Sequence, residues 1–280
     1  MPYLIDTHAH LDADIYARDL DIVVKHAVQD GVWIVTVGTD YASSVKAVEI
    51  ADRYPEGVFA AIGLHPLKVP ADLQSDDRLL NIEKFAELAK NPKVVALGET
   101  GLDFSDLPDH PRRGQDRQLA DKLRLNQARV FGKFLDLSRE LRLPLLLHCR
   151  DAQQVMLEMI ETWDKTSRGF DSRGILHGFT GNWKEAKRFF NLDFMISVTG
   201  TIAHGAYQQE LIRKAPLSRL VLESDCPHLT AVPWNLRRSE PGYLPSVLSA
   251  VAGIRGEKQE DVAAQTTKNA LGILKRITKV

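Results

Sequence analysis

Cysteine is almost missing from this chain of 280 residues: Cys149 and Cys226 are the only two. A disulfide framework is therefore not expected, and each thiol reads as a small buried hydrophobe rather than a ligand. No apolar run is long enough to span a bilayer and no signal-type segment opens the chain, so no membrane partner is expected and the cytoplasm is the expected compartment. Excess charge of one sign is missing too, with 36 Lys and Arg against 37 Asp and Glu. That balance argues against a preference for long duplex nucleic acid, whose binding proteins draw affinity from a basic face. The signatures GxxxxGK(S/T), HExxH and GxSxG do not occur, which argues against an ATPase, a zincin protease and an α/β-hydrolase. Repeats, low-complexity tracts and long polar linkers are also lacking, and a composition of 44% hydrophobic and 26% charged residues fits a single domain over residues 1–280. Nothing in the pattern calls for an obligate protein partner.

What the chain does have is a set of short apolar runs that end in metal-type donors. Tyr3-Leu4-Ile5 leads to His8-Ala9-His10, Val94 through Gly98 to Glu99, Leu143 through Leu147 to His148, Gly174-Ile175-Leu176 to His177, and Leu220-Val221-Leu222 to Asp225. In a strand, side chains two apart share a face, so His8 and His10 can grip one cation. Three further runs, Val32–Val37, Val58–Ile62 and Phe194–Val198, bring the total to eight. Between most of them lie polar stretches with helical spacing, such as Leu20–Ala27, Val45–Ala51, Leu80–Ala89, Leu119–Leu141, Val155–Trp163, Glu185–Phe190 and Tyr207–Lys214. Eight such units predict an α/β fold of the (β/α)8 TIM-barrel type, with its active site at the carboxyl ends of the strands, where every donor falls. Helices over Leu244–Gly253 and Gln259–Ile277 are expected to complete the last crossover and cover the bottom or side of the barrel.

Imidazole and carboxylate donors with room left for water suit a catalytic divalent ion, which acidifies bound water and so makes a nucleophile near neutral pH. Asp225, at the last strand end, is placed to accept that water's proton, although an aspartate here can also cap a helix. Glu223 reads equally as a partner that fixes a ligand histidine and as a barrel-interior ion pair. His65 is expected to contact a substrate phosphate or leaving group, with a structural hydrogen bond as the alternative. Arg150 offers a bidentate fork to phosphate, or else a salt bridge to Asp151 or Glu99. Asp103 is read as holding Arg150 or a metal-bound water. Arg112-Arg113 and Arg237-Arg238 are the local basic clusters, and Trp183 and Trp234 are candidate base-stacking platforms. His26, His110, His204 and His228 are not read as ligands.

The residues Ile5-Asp6-Thr7-His8-Ala9-His10-Leu11, Gly63-Leu64-His65-Pro66, Gly98-Glu99-Thr100-Gly101-Leu102-Asp103, Leu147-His148-Cys149-Arg150-Asp151-Ala152, His177-Gly178-Phe179-Thr180-Gly181, Glu223-Ser224-Asp225-Cys226-Pro227 and Arg238-Ser239-Glu240-Pro241 follow one another in order over nearly the whole chain. In them the sequence resembles the TatD family of metal-dependent hydrolases, in the amidohydrolase superfamily. The resemblance implies a barrel carrying a divalent-ion-dependent nuclease, often a 3′-to-5′ exonuclease on DNA or RNA, while some relatives deacylate D-aminoacyl-tRNA. It also implies an allocation: His8, His10 and Asp225 on one ion, His148 and His177 on a second, and Glu99 bridging them. The physiological metal stays open between Zn, Mn and Mg. Cys226-Pro227-His228 stands where many members have Ala-Pro-Tyr, Phe134 where Gln is frequent and Ser239 where Asn is usual; these departures bear on substrate preference. The expectation is a two-metal phosphodiesterase in which Asp225 and Glu99 carry the catalysis, taking single-stranded DNA or RNA ends. The alternatives are an ester or amide hydrolase using the same donors and a binding protein on an inactive barrel.

Overall fold

The computed structural model describes residues 1–73, 81–110, 116–166, 173–200, 205–228 and 238–279. Arg112, Arg113, His204, Trp234 and Arg237 lie outside them. Eight parallel strands close in chain order into a barrel: β1 Leu4–Ala9, β2 Val32–Val37, β3 Val58–Ile62, β4 Val94–Asp103, β5 Leu145–Arg150, β6 Gly174–His177, β7 Phe194–Val198 and β8 Leu220–Leu222. Helices α1 Leu20–Gln29, α2 Tyr41–Asp52, α3 Ile82–Leu88, α4 Arg117–Leu141, α5 Gln153–Asp164, α6 Trp183–Asn191, α7 Ala206–Lys214 and α8 Leu244–Arg255 connect the strands or follow them, and α9 Gln259–Ile273 ends in a 3₁₀ turn, Lys275–Lys279. Local chemistry sets several starts. Asp40 accepts the Ser43 N–H at 2.8 Å to cap α2, and Asn182 caps α6 while Glu185 reaches back to the Asn182 N–H at 2.8 Å.

The strands are apolar throughout because both of their faces are covered. Leu4, Ile34, Ala60, Leu145, Leu147, Leu176 and Leu222 pack outward on the helices, in one continuous cluster. Ile5, Val35, Phe59, Val95, Leu146, Ile175 and Val221 form a second cluster inside the barrel, closed below by Ala270, Ile273, Leu274 and Ile277. The expected bottom cover is thus supplied by α9 and its 3₁₀ extension, and Arg276 donates to the Ala89 and Val94 carbonyls there at 2.8 and 2.9 Å. Truncating an interior leucine such as Leu146 to alanine costs about 2–5 kcal/mol in cores of this kind.

Simple alternation from Ile5 would point Thr7 and Ala9 inward. The β1–β2 register slips between Asp6 and Ala9, Ala9 joins the outer cluster, and His8 and His10 turn to the mouth instead. A bulge re-aims a side chain in this way next to many active sites. On β4 two irregularities cancel: Val95 and Ala96 both join the inner cluster and Leu97 packs outward, then the β4–β5 register slips between Leu97 and Thr100, and Glu99 faces inward as alternation from Val95 alone would place it. On β5, β6 and β8 no slip is needed, since Leu146, Ile175 and Val221 already set His148, His177 and Glu223 on the inner face. Among the described residues no helix is long and apolar enough to cross a membrane.

Candidate metal centre

Glu99 is the hub. It is buried, with 2% of its surface exposed, and its two carboxylate oxygens face different imidazoles. Oε2 lies 3.5 Å from His8 Nε2 and 3.8 Å from His10 Nε2; Oε1 lies 2.8 Å from His148 Nδ1, 3.4 Å from His65 Nε2 and 3.8 Å from His177 Nε2. Asp225 closes the far side, its Oδ1 3.7 Å from His10 Nε2 and 4.0 Å from His177 Nε2. Two donor groups result, His8–His10–Asp225 and His65–Glu99–His148, and His8, His177 and Glu223 form a third grouping that shares His8. The six residues expected as ligands therefore meet around one carboxylate.

Which ring nitrogen carries a proton follows from what the other one touches. His10 Nδ1 is 3.0 Å from the Val37 carbonyl, which accepts only, so Nδ1 holds the proton and Nε2 offers its lone pair to the mouth. His148 sits between two carboxylates, Nε2 2.8 Å from Asp103 Oδ2 and Nδ1 2.8 Å from Glu99 Oε1. Against burial they raise its pKa, and each accepts an N–H; a cation beside Glu99 would replace the Nδ1 proton while Asp103 keeps the Nε2–H. His65 is the reverse case. Its Nδ1 accepts the Leu67 N–H at 3.1 Å, so the proton sits on Nε2 and the ring presents a donor toward Glu99. His177 Nδ1 has Glu223 Oε1 2.9 Å away, off the line of its N–H, and the same oxygen accepts the Gly178 N–H at 2.8 Å.

Charge is finely divided here. Burial, reinforced by cationic His177, lowers His8 to about 4 and keeps it neutral. Burial also disfavours the charged form of His177, but Glu223, Asp225 and Glu99 outweigh it and raise that ring to about 10. Burial opposes ionisation of Glu99, yet His148, His65 and His8 hold it well below the usual carboxylate range. Asp225 is raised to about 7 by burial, with His177 opposing and Glu223 and Glu99 adding to the rise. Three buried atoms, His8 Nδ1, His177 Nδ1 and Glu223 Oε2, have no hydrogen-bond partner among the described residues. Crowded carboxylates, a neutral imidazole and turned-in lone pairs are what a divalent cation site needs.

Two expectations are revised. Asp103, expected to hold Arg150 or a metal-bound water, is 1% exposed in the wall of a cavity of about 680 Å³, and its carboxylate is spent on His148 Nε2–H at 2.8 Å and on the Ser105 N–H and hydroxyl at 2.9 and 2.6 Å. Arg238 is not a free phosphate ligand, because it is held by Asp19 and Glu240 and lies 5.0 Å over the Tyr16 ring. Glu223 forms a buried ion pair with His177, a placement common to both of its readings. Arg150 is exposed, has no carboxylate partner among the described residues, and lines two cavities of about 680 and 240 Å³ beside the donors. A third cavity of about 400 Å³ contains His10, His65, Glu99, His148, His177 and Asp225 in its wall, with Asp12, Lys68 and His228 at its rim. Trp183 is half-buried against Phe190 and Lys187. Asp6, which the sequence reading did not single out, is fully buried and binds Ser224, immediately before Asp225. The Asp-x-His-x-His spacing was its only signal.

Residues 5–275 match the family model described as TatD related DNase. The chain is 33% identical over 270 residues to an uncharacterised metal-dependent hydrolase, YabD, of Bacillus subtilis, covering 95% of this chain and 97% of that protein. It is 33% identical over 276 residues to a protein of Klebsiella pneumoniae named 3′-5′ ssDNA/RNA exonuclease TatD, covering 95% of each. Among solved structures it superposes on YjjV, a TatD homologue of Escherichia coli, with a TM-score of 0.82 at 27% identity over 97% of each chain.

Proposed function

Given that the chain belongs to the TatD-related DNase family, we propose that it is a divalent-metal-dependent hydrolase that removes nucleotides from the 3′ ends of single-stranded DNA or RNA. The observation that carries the reading is the placement of Glu99, with one oxygen toward His8 and His10 and the other toward His148 and His177. That arrangement fits two divalent ions, one held by His8, His10 and Asp225, the other by His148 and His177, with Glu99 shared. Two such ions supply Lewis-acid stabilisation of the scissile group and lower the pKa of water.

The remaining work falls to the chain's own residues. Asp225, just past the carboxyl end of the last strand with its side chain lining the cavity, is the base that takes the proton of the attacking water. His65 presents its Nε2–H toward Glu99 and gives a donor for an oxygen of the scissile phosphate. Arg150, exposed where the 680 and 240 Å³ cavities meet, supplies a two-pronged contact for a neighbouring phosphate. Asp103 and Glu223 hold His148 and His177 from behind. A chain balanced between 36 Lys and Arg and 37 Asp and Glu suits a short strand end better than a long duplex.

A side-by-side assay tests the substrate class: single-stranded oligonucleotides against carboxylic esters, lactones and D-aminoacyl-tRNA, each with added Mn²⁺ or Mg²⁺. Nucleotide release should exceed the other hydrolyses by orders of magnitude and vanish in Asp225→Asn. Faster ester or aminoacyl-tRNA cleavage would move the assignment to the deacylase alternative.

A further inference from the structure

We propose that Asp6 is a positioning residue, the lock that joins the first and last strands and thereby sets Asp225 beside His8 and His10. The seam it closes is the weakest in the barrel. Strand β1 pairs with β2 at four positions, but with β8 at one, Asp6 with Leu222, followed by an isolated bridge from Ala9 to Cys226. Strand β8 ends at Leu222, three residues before Asp225, whose φ of +50° belongs to no strand. Past Leu222 the backbone therefore ties the donor to β1 through that one bridge alone.

The Asp6 carboxylate reinforces it. Its Oδ1 accepts the Ser224 N–H at 2.9 Å and the His8 N–H at 3.3 Å, and its Oδ2 accepts the Ser224 hydroxyl at 2.6 Å. The Ser224 oxygen in turn accepts the Cys226 N–H at 3.1 Å, so the residues on both sides of Asp225 are tied down. With that turn in place, the Asp225 N–H reaches the His8 carbonyl at 3.0 Å and the His10 N–H reaches the Cys226 carbonyl at 2.8 Å. One buried acceptor thus orders His8, Ser224 and, through Ser224, the donor that faces His10. A carboxylate is suited because every group around it is a donor; an amide keeps one oxygen and turns an N–H toward the serine, whose hydroxyl can rotate to accept it. Alanine leaves the donors unmet.

The lock rests on the reading of this site as a cation site only for its metal arm, so two measurements are paired on the full-length protein. Amide hydrogen exchange of the metal-free protein comes first. Asp6→Asn and Ser224→Ala should speed exchange in peptides covering residues 4–11 and 220–228 by at least about ten-fold, and Asp6→Ala by more, while residues 94–103 and 145–150 keep wild-type protection. Equal loss of protection everywhere, or none in any variant, overturns the lock. Equilibrium dialysis with Mn²⁺ alone comes second. The variants should weaken one class of bound Mn²⁺ by about ten-fold or more and leave the other unchanged, with Asp6→Asn intermediate between wild type and Asp6→Ala. Uniform weakening of both classes overturns the positioning role. Absence of Mn²⁺ from the wild type would overturn the cation reading, and the exchange pattern would still decide the lock.

Discussion

Asp103→Asn is expected to damage the site out of proportion to its size. The aspartate is fully buried, and its two oxygens have different duties: Oδ1 takes the Ser105 N–H and hydroxyl, and Oδ2 takes His148 Nε2–H. Asparagine has one acceptor for these duties. If its oxygen stays with Ser105, its NH₂ opposes His148 Nε2–H; the ring must then give up its Nε2 proton and keep the one on Nδ1, the nitrogen 2.8 Å from Glu99, so it offers no lone pair to a cation beside Glu99. If the amide turns over, its NH₂ opposes the Ser105 N–H. Each orientation leaves one buried donor conflict worth about 1–3 kcal/mol, and loss of a carboxylate behind a ligand histidine typically weakens metal binding 10- to 100-fold. The two estimates overlap at about 1.4–2.7 kcal/mol. Asp103→Ala removes the conflict and leaves room for water to accept the ring N–H, so it should be the milder change. Mn²⁺ affinity by equilibrium dialysis and nucleotide release from a single-stranded oligonucleotide measure both variants. Asp103→Asn within two-fold of wild type, or clearly better than alanine, would refute the reasoning.

Three further outcomes are expected. Gly101→Ala places a Cβ 2.1 Å from the His148 carbonyl oxygen at a φ of +142°; strain of a few kcal/mol should lower Tm by at least about 5 °C in calorimetry, and an unchanged Tm contradicts the close approach of β4 and β5. Both thiols are buried, and burial pushes Cys226 up to about 12; Ellman's reagent at pH 8 should find no fast thiol in the native protein and two after unfolding, whereas rapid native labelling contradicts the packing. Chelation should abolish hydrolysis and, through the loss of native-state binding worth about 2.7 kcal/mol at a hundred-fold excess over Kd, lower Tm by several degrees; full activity in excess EDTA contradicts the metal requirement.

The fold was legible because barrel strands are buried on both faces: the runs Val32–Val37, Val58–Ile62, Phe194–Val198 and Leu220–Leu222 coincide with strands to the residue. Helix ends were less so. Strand β4 continues to Asp103, and α9 stops at Ile273 where the apolar pattern runs on to Ile277 through a 3₁₀ turn. The donors could be read as strand-end residues, but the bulge that aims His8 and His10 inward leaves no mark in the periodicity, which alone points Thr7 and Ala9 inward. Asp103 was misread because a carboxylate behind a ligand and one in front of it look the same in sequence. Only the direction of His148 separates them. Asp6 went unnoticed because its partner, Ser224, is 218 residues away along the chain.

The claim on which the rest stands is that Glu99 lies between two cations. Anomalous diffraction from crystals grown with Mn²⁺ tests it directly. Two peaks are predicted, one on the side of Glu99 that faces His8, His10 and Asp225 and one on the side that faces His148 and His177, and both should weaken in Glu99→Gln. A single peak away from Glu99, or two peaks that persist undiminished in Glu99→Gln, would contradict it.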